Sequence, residues 1–542
     1  MHRHRRQPPR RLLRPRGELR GASRETGRRR RARAVVVGAR HRGGARLPRR
    51  CRCREARHRR RPAARQGRRR TCRHHPYPRR PGRQALVSAL AALGLLVAAG
   101  AATLEPCVLR GPQGTRAFAE CGVVPVAVDA SRPGLTIQIG YARLKATGLD
   151  DVGAPVLLLA GGPGQSATRD FVPVLPHLQA LRERHDLVLV DVRGTGRSTP
   201  QRCPDDRPLA SRLGGEGDDQ VLAECVAALT LDARFLGTVD AARDLETVRL
   251  SLGVERWHVV GVSYGTRLAL AYDRLYAGRA ATLTLDGFAP VNHALGDDVA
   301  VDMTASLRAL GDDAVEALRS VKTRLGAAPV AVQVRHPTTA TPLQLTATAS
   351  VINGAVRMLL YATETRAVLP WLLRTADDGD LAPLLALAVL SGEQLEGALH
   401  GPVNASVLCA EDVPFFAPEP PPGAGDVVFD DERAAMRRQC ARWAPTTPAR
   451  PVFAGTKTPT LILSGEHDPI TPPRHAERVL PLFSDVVHAV APGQGHHVLP
   501  RGCVPDVVTE FIERGAAAGL DTGCVRKLAA SASFVDAQGP AP

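Results

Sequence analysis

Residues 257–276 read WHVVGVSYGTRLALAYDRLY, and this stretch decides the fold. Trp257–Val262 is an apolar, β-branched run typical of a buried strand, whereas Thr266–Tyr276 reads as a helix. Between them, Gly261-Val262-Ser263-Tyr264-Gly265 fits the pattern Gly-x-Ser-x-Gly, in which small residues let a strand turn sharply into a helix and expose the serine hydroxyl. A serine in an ordinary turn is the alternative, but the strand before it and the helix after it favour Ser263 as a nucleophile.

Short runs rich in Val, Ile and Leu alternate with helical stretches on both sides of Ser263. The clearest helix is Thr238–Leu252, in which apolar residues recur at helical spacing and Gly253 follows as a stop signal. This alternation is typical of an α/β fold with a mostly parallel sheet covered on both faces. The predicted strands are Leu135–Leu144, Pro155–Ala160, Leu187–Asp191, Trp257–Val262, Thr282–Asp286, Thr460–Ser464 and Val486–Val490.

The C-terminal part of the chain supplies the partners that a serine nucleophile needs, in the order serine, acid, histidine. Asp468 follows the sixth predicted strand, and His496 follows the seventh. Because strand ends are where α/β sheets hold their sites, we predict Asp468 as the orienting acid and His496 as the general base. Three alternatives stay open: Glu466 as the acid, Asp468 as a residue that only caps a turn, and His497 as the base.

Acyl transfer also needs N–H donors for the oxyanion that develops on the substrate carbonyl. In a strand–turn–helix of this kind, one donor is the residue after the nucleophile, here Tyr264, and the other comes from an earlier glycine-rich loop. Ala160-Gly161-Gly162-Pro163-Gly164 directly follows the second predicted strand. We therefore predict that Gly162 or a neighbouring N–H is the second donor.

A long helical block separates the fifth predicted strand from the sixth. It includes Met358–Thr375 and Leu381–Ser391, and a Pro-rich loop, Pro414–Gly425, follows them. We interpret residues 295–450 as a helical cap inserted between two parts of an α/β core, 102–294 and 451–542.

The positive charge of the chain is confined to its N-terminal segment. The chain has 73 basic and 53 acidic residues, a formal charge of +20, but residues 1–84 hold 33 Arg, no Lys and 3 Glu. The remainder has 40 basic and 50 acidic residues, so we expect an acidic enzyme with no nucleic-acid partner. The Arg-rich segment cannot bury enough apolar surface to fold, and we predict that it is disordered or lies upstream of the true start. A long basic n-region and a nucleic-acid arm are the alternatives.

Residues 85–101 form an apolar segment that follows Arg79, Arg80 and Arg83 and ends in Ala99-Gly100-Ala101. Basic residues, an apolar run and a small-residue end predict a secretory signal peptide, and therefore a secreted or periplasmic protein. A membrane anchor is the alternative, because about 17 apolar residues lie at the short limit for spanning a bilayer. After cleavage we expect no stable insertion into a membrane.

Eight cysteines follow the predicted signal peptide. An even number in an exported chain favours disulfides, and roughly a hundred pairings are possible. Pairing of neighbours in sequence predicts Cys107–Cys121, Cys203–Cys225, Cys409–Cys440 and Cys503–Cys524. No Cys-x-x-Cys or His-rich spacing indicates zinc, so we expect no metal site.

Several motifs together resemble those of secreted tripeptidyl aminopeptidases and proline iminopeptidases, which have the α/β-hydrolase fold. The resemblance covers roughly residues 135–524. The motifs are Gly161-Gly162-Pro163-Gly164, Asp191-Val192-Arg193-Gly194-Thr195-Gly196-Arg197-Ser198, Ala242-Arg243-Asp244-Leu245-Glu246, Gly261-Val262-Ser263-Tyr264-Gly265-Thr266, Leu285-Asp286-Gly287 and Asp468-Pro469-Ile470-Thr471-Pro472. The resemblance implies an α/β-hydrolase that removes residues from peptide N-termini.

Two motifs of the predicted cap look like the tripeptidyl branch: Cys409-Ala410-Glu411-Asp412 and Cys440-Ala441-Arg442-Trp443. The resemblance implies a disulfide between these cysteines and acidic residues that meet the free α-amine of the substrate. We assign that role to Glu411, with Asp412 second. Alternatively, Glu411 caps a helix or pairs with an arginine.

The activity implied is that of a serine peptidase acting on peptides with a free N-terminus, without a cofactor. Two other functions fit the same residues. A secreted carboxylesterase would use the same triad on neutral esters, and a catalytically silent binding protein would use only the scaffold.

Overall fold

The computed structural model describes residues 103–540 except 149–151, 205–218, 290, 420–427, 430–431, 444–449 and 451. The predicted Arg-rich leader, 1–84, and the predicted signal peptide, 85–101, lie outside the described residues. Among the described residues, no helix is both long enough and apolar enough to cross a membrane.

The described chain is built on one large sheet with two small hairpins beside it. The strands are β1 (Glu105–Arg110), β2 (Arg116–Asp129), β3 (Arg132–Leu144), β4 (Gly153–Leu159), β5 (His185–Val190), β6 (Trp257–Val262), β7 (Ala280–Asp286), β8 (Val330–Arg335), β9 (Pro342–Ala347), β10 (Thr460–Gly465), β11 (Val486–Ala491), β12 (Phe534–Asp536) and β13 (Gly539–Pro540). The large sheet has the order β1-β2-β3-β5-β4-β6-β7-β10-β11. Neighbours from β5 to β11 pair in parallel, and β1, β2 and β3 add an antiparallel edge.

The seven predicted strands are confirmed, each within a few residues of its predicted bounds. The central parallel strands were predictable because both of their faces are covered: residues 156–159 of β4 are all 0 % exposed. Strands β1 and β2 are missing from the prediction because one face of this pair meets solvent, as Phe118 at 83 % exposure shows. Half-exposed strands lack the continuous apolar run on which the prediction depended.

Helices pack on both faces of the sheet. The helices are α1 (Ala167–Asp170), α2 (Gln179–Arg184), α3 (Asp219–Ala228), α4 (Thr238–Ser251), α5 (Tyr264–Leu275), α6 (Val299–Arg308), α7 (Asp312–Ala327), α8 (Ala349–Leu360), α9 (Thr363–Asp377), α10 (Ala382–Ala398), α11 (Gly401–Glu411), α12 (Glu432–Arg442), α13 (Pro473–Glu477) and α14 (Val504–Arg514). Leu245 of α4 and Leu268 of α5 belong to the apolar cluster on one face, and Leu181 of α2 and Phe511 of α14 belong to the cluster on the other. Burial of both sheet faces fixes β4, β6 and β7 at the centre, where the serine turn lies.

Helices α6 to α12 form an insertion between β7 and β10, in which α6 to α10 share an apolar cluster of their own. Two details of the sequence prediction are wrong here. The hairpin β8–β9 interrupts the helical block, and the predicted helix Met358–Thr375 is two helices, because α8 ends at Leu360 and α9 begins at Thr363. The break frees the carbonyl of Tyr361, which accepts the N–H of His496 at 2.8 Å. A tertiary hydrogen bond of this kind has no signature in hydrophobic periodicity.

The four predicted disulfides are present: Cys107–Cys121, Cys203–Cys225, Cys409–Cys440 and Cys503–Cys524. Cys409–Cys440 joins α11 to α12 within the insertion. Four disulfides fit a protein that folds in an oxidising compartment, either outside the cell or in a periplasm.

Candidate active site

Ser263 lies at the turn between β6 and α5, in a backbone conformation that non-glycine residues rarely adopt (φ 54°, ψ −124°). Its N–H donates to the carbonyl of Asp286 at 2.8 Å. The glycines on either side are required by space, since a Cβ on Gly261 would lie 2.4 Å from the Gly265 carbonyl oxygen, and one on Gly265 would lie 2.4 Å from that of Leu159. The strained turn places the serine at the carboxyl end of the central strand.

The loop after β10 brings Asp468 to His496. Asp468 is 2 % exposed, and its Oδ2 lies 2.7 Å from Nδ1 of His496. Its other contacts come from the next turn of the chain: Oδ1 accepts the N–H groups of Ile470 and Thr471, each at 2.9 Å, and Oδ2 accepts the Thr471 hydroxyl at 2.8 Å. These donors hold the carboxylate so that one oxygen faces the imidazole.

The pKa values of this pair move in opposite directions. Burial alone would raise the pKa of Asp468, but the charge and hydrogen bond of His496, with the backbone N–H groups, hold it below its usual value. Burial alone would lower the pKa of His496, but the carboxylate of Asp468 raises it above its usual value. The pair therefore favours an ionised acid beside an imidazole that accepts a proton readily.

The adjacent histidine, His497, faces another carboxylate. Its backbone has φ 70°, and its Nε2 lies 3.5 Å from Oδ2 of Asp286. Asp286 is fully buried and also accepts the N–H groups of Val498 and Leu499 at 3.0 and 2.8 Å. Of the two histidines left open by the sequence, His496 is the one that contacts Asp468. Glu466, the alternative acid, is exposed and accepts the N–H of Gly493 at 2.8 Å.

The glycine-rich loop after β4 lies against the serine. A Cβ on Gly161 would meet the Ser263 Cβ at 2.9 Å, so backbone and nucleophile are in close approach there. Gly162 and Gly164 adopt positive φ angles of 105° and 101°, which glycine tolerates without strain. Tyr264 is the first residue of α5, where a helix has N–H groups without intrahelical acceptors. Both predicted oxyanion donors, Gly162 and Tyr264, therefore belong to segments adjacent to Ser263.

The insertion contributes a residue to this site that the sequence analysis missed. Besides the backbone bond to His496, the half-buried ring of Tyr361 makes an edge contact with the His496 imidazole, with centroids 5.6 Å apart. The next helix adds Thr363, whose hydroxyl accepts the N–H of Gly495 at 3.0 Å. Residues at the break between α8 and α9 therefore hold the backbone of Gly495 and His496 in place. No local pattern in the sequence indicates this contact.

Glu411 and Asp412 end α11 in two different environments. The Glu411 carboxylate accepts the Thr238 N–H at 2.7 Å and the Thr238 hydroxyl at 2.6 Å, and it lies 3.7 Å from Arg267. Glu411 thus caps the N-terminus of α4, the alternative that the sequence analysis left open, and burial raises its pKa to about 7. Asp412 is fully buried in a bidentate pair with Arg267 at 2.8 and 2.9 Å. Asp412 is therefore occupied by its arginine, whereas each Glu411 oxygen keeps a second acceptor position.

Among the described residues, one group outside this site has the composition of a metal site. His293, Asp297 and Asp298 place ligand atoms within 4.8 Å of one another, beside a cavity of about 900 Å³. However, Arg474 donates to Asp298 at 2.7 Å and Arg433 donates to Asp297 at 2.8 Å. These guanidinium groups already supply the positive charge that a cation would bring.

Comparisons with known proteins agree with this architecture. Residues 154–325 match a family model described as the alpha/beta hydrolase fold, and residues 426–524 match one described as TAP-like protein. The chain is therefore a serine hydrolase with the α/β-hydrolase fold, as expected from the serine turn.

Within this class, the chain is similar to several peptidases, which confirms the resemblance inferred from the sequence motifs. It is 27 % identical to serine protease Hip1 of Mycobacterium tuberculosis, over 68 % of this chain and 80 % of that protein. It is 29 % identical to tripeptidyl aminopeptidase of Streptomyces lividans, over 31 % of this chain and 35 % of that protein. It is 31 % identical to a probable proline iminopeptidase of Streptomyces coelicolor, over 26 % of this chain and 35 % of that protein.

Proposed function

We propose that the chain is an exported serine peptidase that releases residues from the N-terminus of peptides, with Ser263, His496 and Asp468 as its triad. The observation that carries the proposal is the 2.7 Å contact between His496 and Asp468 at the strand ends beside the strained Ser263 turn. Similarity to a serine protease and to tripeptidyl aminopeptidases supports a peptidase role.

In the proposed mechanism, Ser263 Oγ attacks the carbonyl carbon of the scissile peptide bond. His496 takes the hydroxyl proton and then gives it to the leaving amine, which departs as the acyl-enzyme forms. Asp468 keeps the imidazole in the tautomer with its proton on Nδ1 and stabilises the imidazolium. The N–H groups of Tyr264 and Gly162 would hold the oxyanion, and water then releases the acyl group by the same proton transfers in reverse order.

The preference for a free N-terminus is assigned to Glu411. Its carboxylate contacts Thr238, and the Thr238 hydroxyl lies 2.8 Å from the hydroxyl of Tyr264, the residue after the nucleophile. A buried carboxylate that keeps free acceptor positions can bind an ammonium group strongly. Asp412 is the second candidate, although its arginine pair favours a supporting role. We propose that the helical insertion is a cap, residues 295–450, that carries this amine site between core segments 102–294 and 451–542.

Export is part of the same proposal. The predicted signal peptide, residues 85–101, and four disulfides support a secreted or periplasmic location. The substrate would then be an extracellular or periplasmic peptide.

The test compares substrates on the purified, exported protein. Tripeptidyl and prolyl p-nitroanilides with free and with acetylated amines, and a short-chain p-nitrophenyl ester, are assayed with wild type, Ser263→Ala and Glu411→Gln. The proposal expects cleavage of the free-amine peptides alone, its loss in Ser263→Ala, and a raised KM in Glu411→Gln. Ester cleavage at the same rate in wild type and in Glu411→Gln would indicate a carboxylesterase. The absence of any Ser263-dependent turnover would indicate a binding protein.

A further inference from the structure

The glycine-rich loop after β4 is attached to the insertion by a set of hydrogen bonds. The carbonyl of Gly164 accepts the N–H of His400 at 2.9 Å and lies 3.1 Å from Nδ1 of the same residue. The amide group of Asn404 donates to the carbonyl of Pro163 at 3.1 Å. Gln165 and Leu399 form an antiparallel bridge at the same place. Hydrogen bonds therefore join the loop that carries Gly162 to residues 399–404 almost continuously, and we call this contact the seam.

The two segments are also in steric contact. A Cβ on Gly164 would lie 2.7 Å from the carbonyl oxygen of His400. A Cβ on Gly162 would lie 3.1 Å from the side chain of Leu399. The seam therefore leaves no space for the loop to shift towards the insertion, and the hydrogen bonds prevent it from moving away.

The His400 ring joins this seam to a third segment. Its Nε2 accepts the N–H of Gly196 at 3.1 Å, while Nδ1 faces the Gly164 carbonyl. Since a carbonyl only accepts and an N–H only donates, the ring must be neutral with its proton on Nδ1. His400 is 4 % exposed, so both of its contacts are made in the interior. The ring thus fixes the distance between the glycine-rich loop and the loop of residues 191–198.

We propose that His400 and Asn404 are positioning residues for the oxyanion hole, because they hold the Pro163 and Gly164 carbonyls and thereby fix the N–H of Gly162. This inference rests on the proposed function, since it concerns the hole used by Ser263. A preorganised donor stabilises the transition state because no energy is spent on orienting it during the reaction. Loss of the seam should therefore reduce kcat and leave the binding of the ground state nearly unchanged.

The test uses two variants and a matched control. Asn404→Asp keeps the shape of the side chain but replaces the donor to Pro163 with a carboxylate, and His400→Ala removes both ring contacts. Asn292→Asp is the control, because the amide of Asn292 also donates to a backbone carbonyl, that of Phe453 at 2.9 Å, outside the seam. For each protein we measure kcat and KM on a free-amine p-nitroanilide, the inhibition constant of a peptide aldehyde, that of the peptide product, and the midpoint of thermal unfolding.

Since deletion of a whole oxyanion donor costs about 100- to 1000-fold in kcat, we expect displacement of one to cost about 10-fold or more in Asn404→Asp and in His400→Ala. The inhibition constant of the aldehyde, which forms a tetrahedral adduct with the serine, should rise by a similar factor. KM and the product inhibition constant should stay close to those of Asn292→Asp.

A kcat for Asn404→Asp equal to that of Asn292→Asp, or aldehyde inhibition that does not weaken, would overturn the positioning role even when wild-type turnover depends on Ser263. Absence of Ser263-dependent turnover in the wild type would overturn the proposed function and this inference together. His400→Ala is judged by kcat of the folded fraction, and if it fails to fold, Asn404→Asp alone decides.

Discussion

The variant Asp468→Asn tests the proposed triad, because the contacts of Asp468 dictate how the new amide must orient. Oδ1 accepts two backbone N–H groups, from Ile470 and Thr471, which cannot become acceptors. Oδ2 accepts from the Thr471 hydroxyl, which can rotate and accept instead, and from His496. The amide oxygen must therefore occupy the Oδ1 position, and the NH2 group must face the imidazole.

An NH2 group facing Nδ1 holds His496 in the wrong tautomer, with its proton on Nε2, where it cannot take a proton from Ser263. The tautomer that can take the serine proton carries its own proton on Nδ1, so its N–H would face the new NH2 group. Two donors that face each other cost about 1–3 kcal/mol. The charged hydrogen bond to the developing imidazolium is also lost, for about 1.5–3 kcal/mol more. Since about 1.4 kcal/mol is tenfold in rate, we expect kcat to fall about 100- to 10,000-fold.

The pH profile provides an independent readout of the same change. In the wild type, Asp468 raises the pKa of His496 above its usual value, so activity should be lost as pH falls through that raised pKa. In Asp468→Asn the carboxylate is gone and burial, which lowers the pKa of His496, remains, so the acid limb should move to lower pH. Steady-state kinetics on a free-amine p-nitroanilide between pH 5 and pH 9 measure both effects.

Glu466→Gln is the matched control, because Glu466 is exposed and two residues away. It should keep wild-type kcat and an unchanged acid limb. A fall of less than about tenfold in Asp468→Asn, or an acid limb that does not move, would refute the orienting role of Asp468. A large fall in Glu466→Gln alone would transfer that role to Glu466.

Three further changes have effects that follow from single contacts. Arg267→Met leaves the fully buried Asp412 without its bidentate partner, and we expect urea unfolding to show a loss of about 3–5 kcal/mol that Arg267→Met/Asp412→Asn partly restores. The double variant Cys409→Ala/Cys440→Ala removes a disulfide between residues 31 apart in sequence. It should lower the free energy of unfolding by about 3–4 kcal/mol under non-reducing conditions. An unchanged midpoint of urea unfolding would mean that the disulfide does not form. Gly287→Ala places a methyl group 3.0 Å from the imidazole of the proposed base at φ 65°, so kcat should fall about 10-fold or more with little change in KM.

The central sheet could be predicted because buried parallel strands are continuous apolar runs and because the serine turn has a fixed pattern. The order serine, acid, histidine then placed Asp468 and His496 at the ends of β10 and β11. Adjacent residues such as His496 and His497 could be told apart only by their tertiary contacts. Strands β1 and β2 of the antiparallel edge and the hairpin β8–β9 were not predicted, because their faces alternate between apolar core and solvent.

The contacts between the insertion and the core could not be predicted. Tyr361 and His400 act on the site through backbone groups of distant segments, as in the contact between His400 and Gly164, which are 236 residues apart in sequence. The packing of the insertion on the core determines these contacts. A single histidine or tyrosine in a helical block therefore gives no local indication of its partner.

Helix α11 links the two parts of the site that the proposal assigns to the substrate. Its N-terminal end follows His400 at the glycine-rich loop, and its C-terminal residue is Glu411, at the proposed amine site. Eleven residues of α-helix extend about 16 Å, and a helix changes its length far less readily than a loop. The distance from the amine site to the oxyanion hole is therefore set by a rigid element whose last turn is also tied to α12 by Cys409–Cys440. Changes that tilt this helix should consequently alter kcat and the preference for a free amine together, whereas changes to exposed loops of the insertion should alter neither.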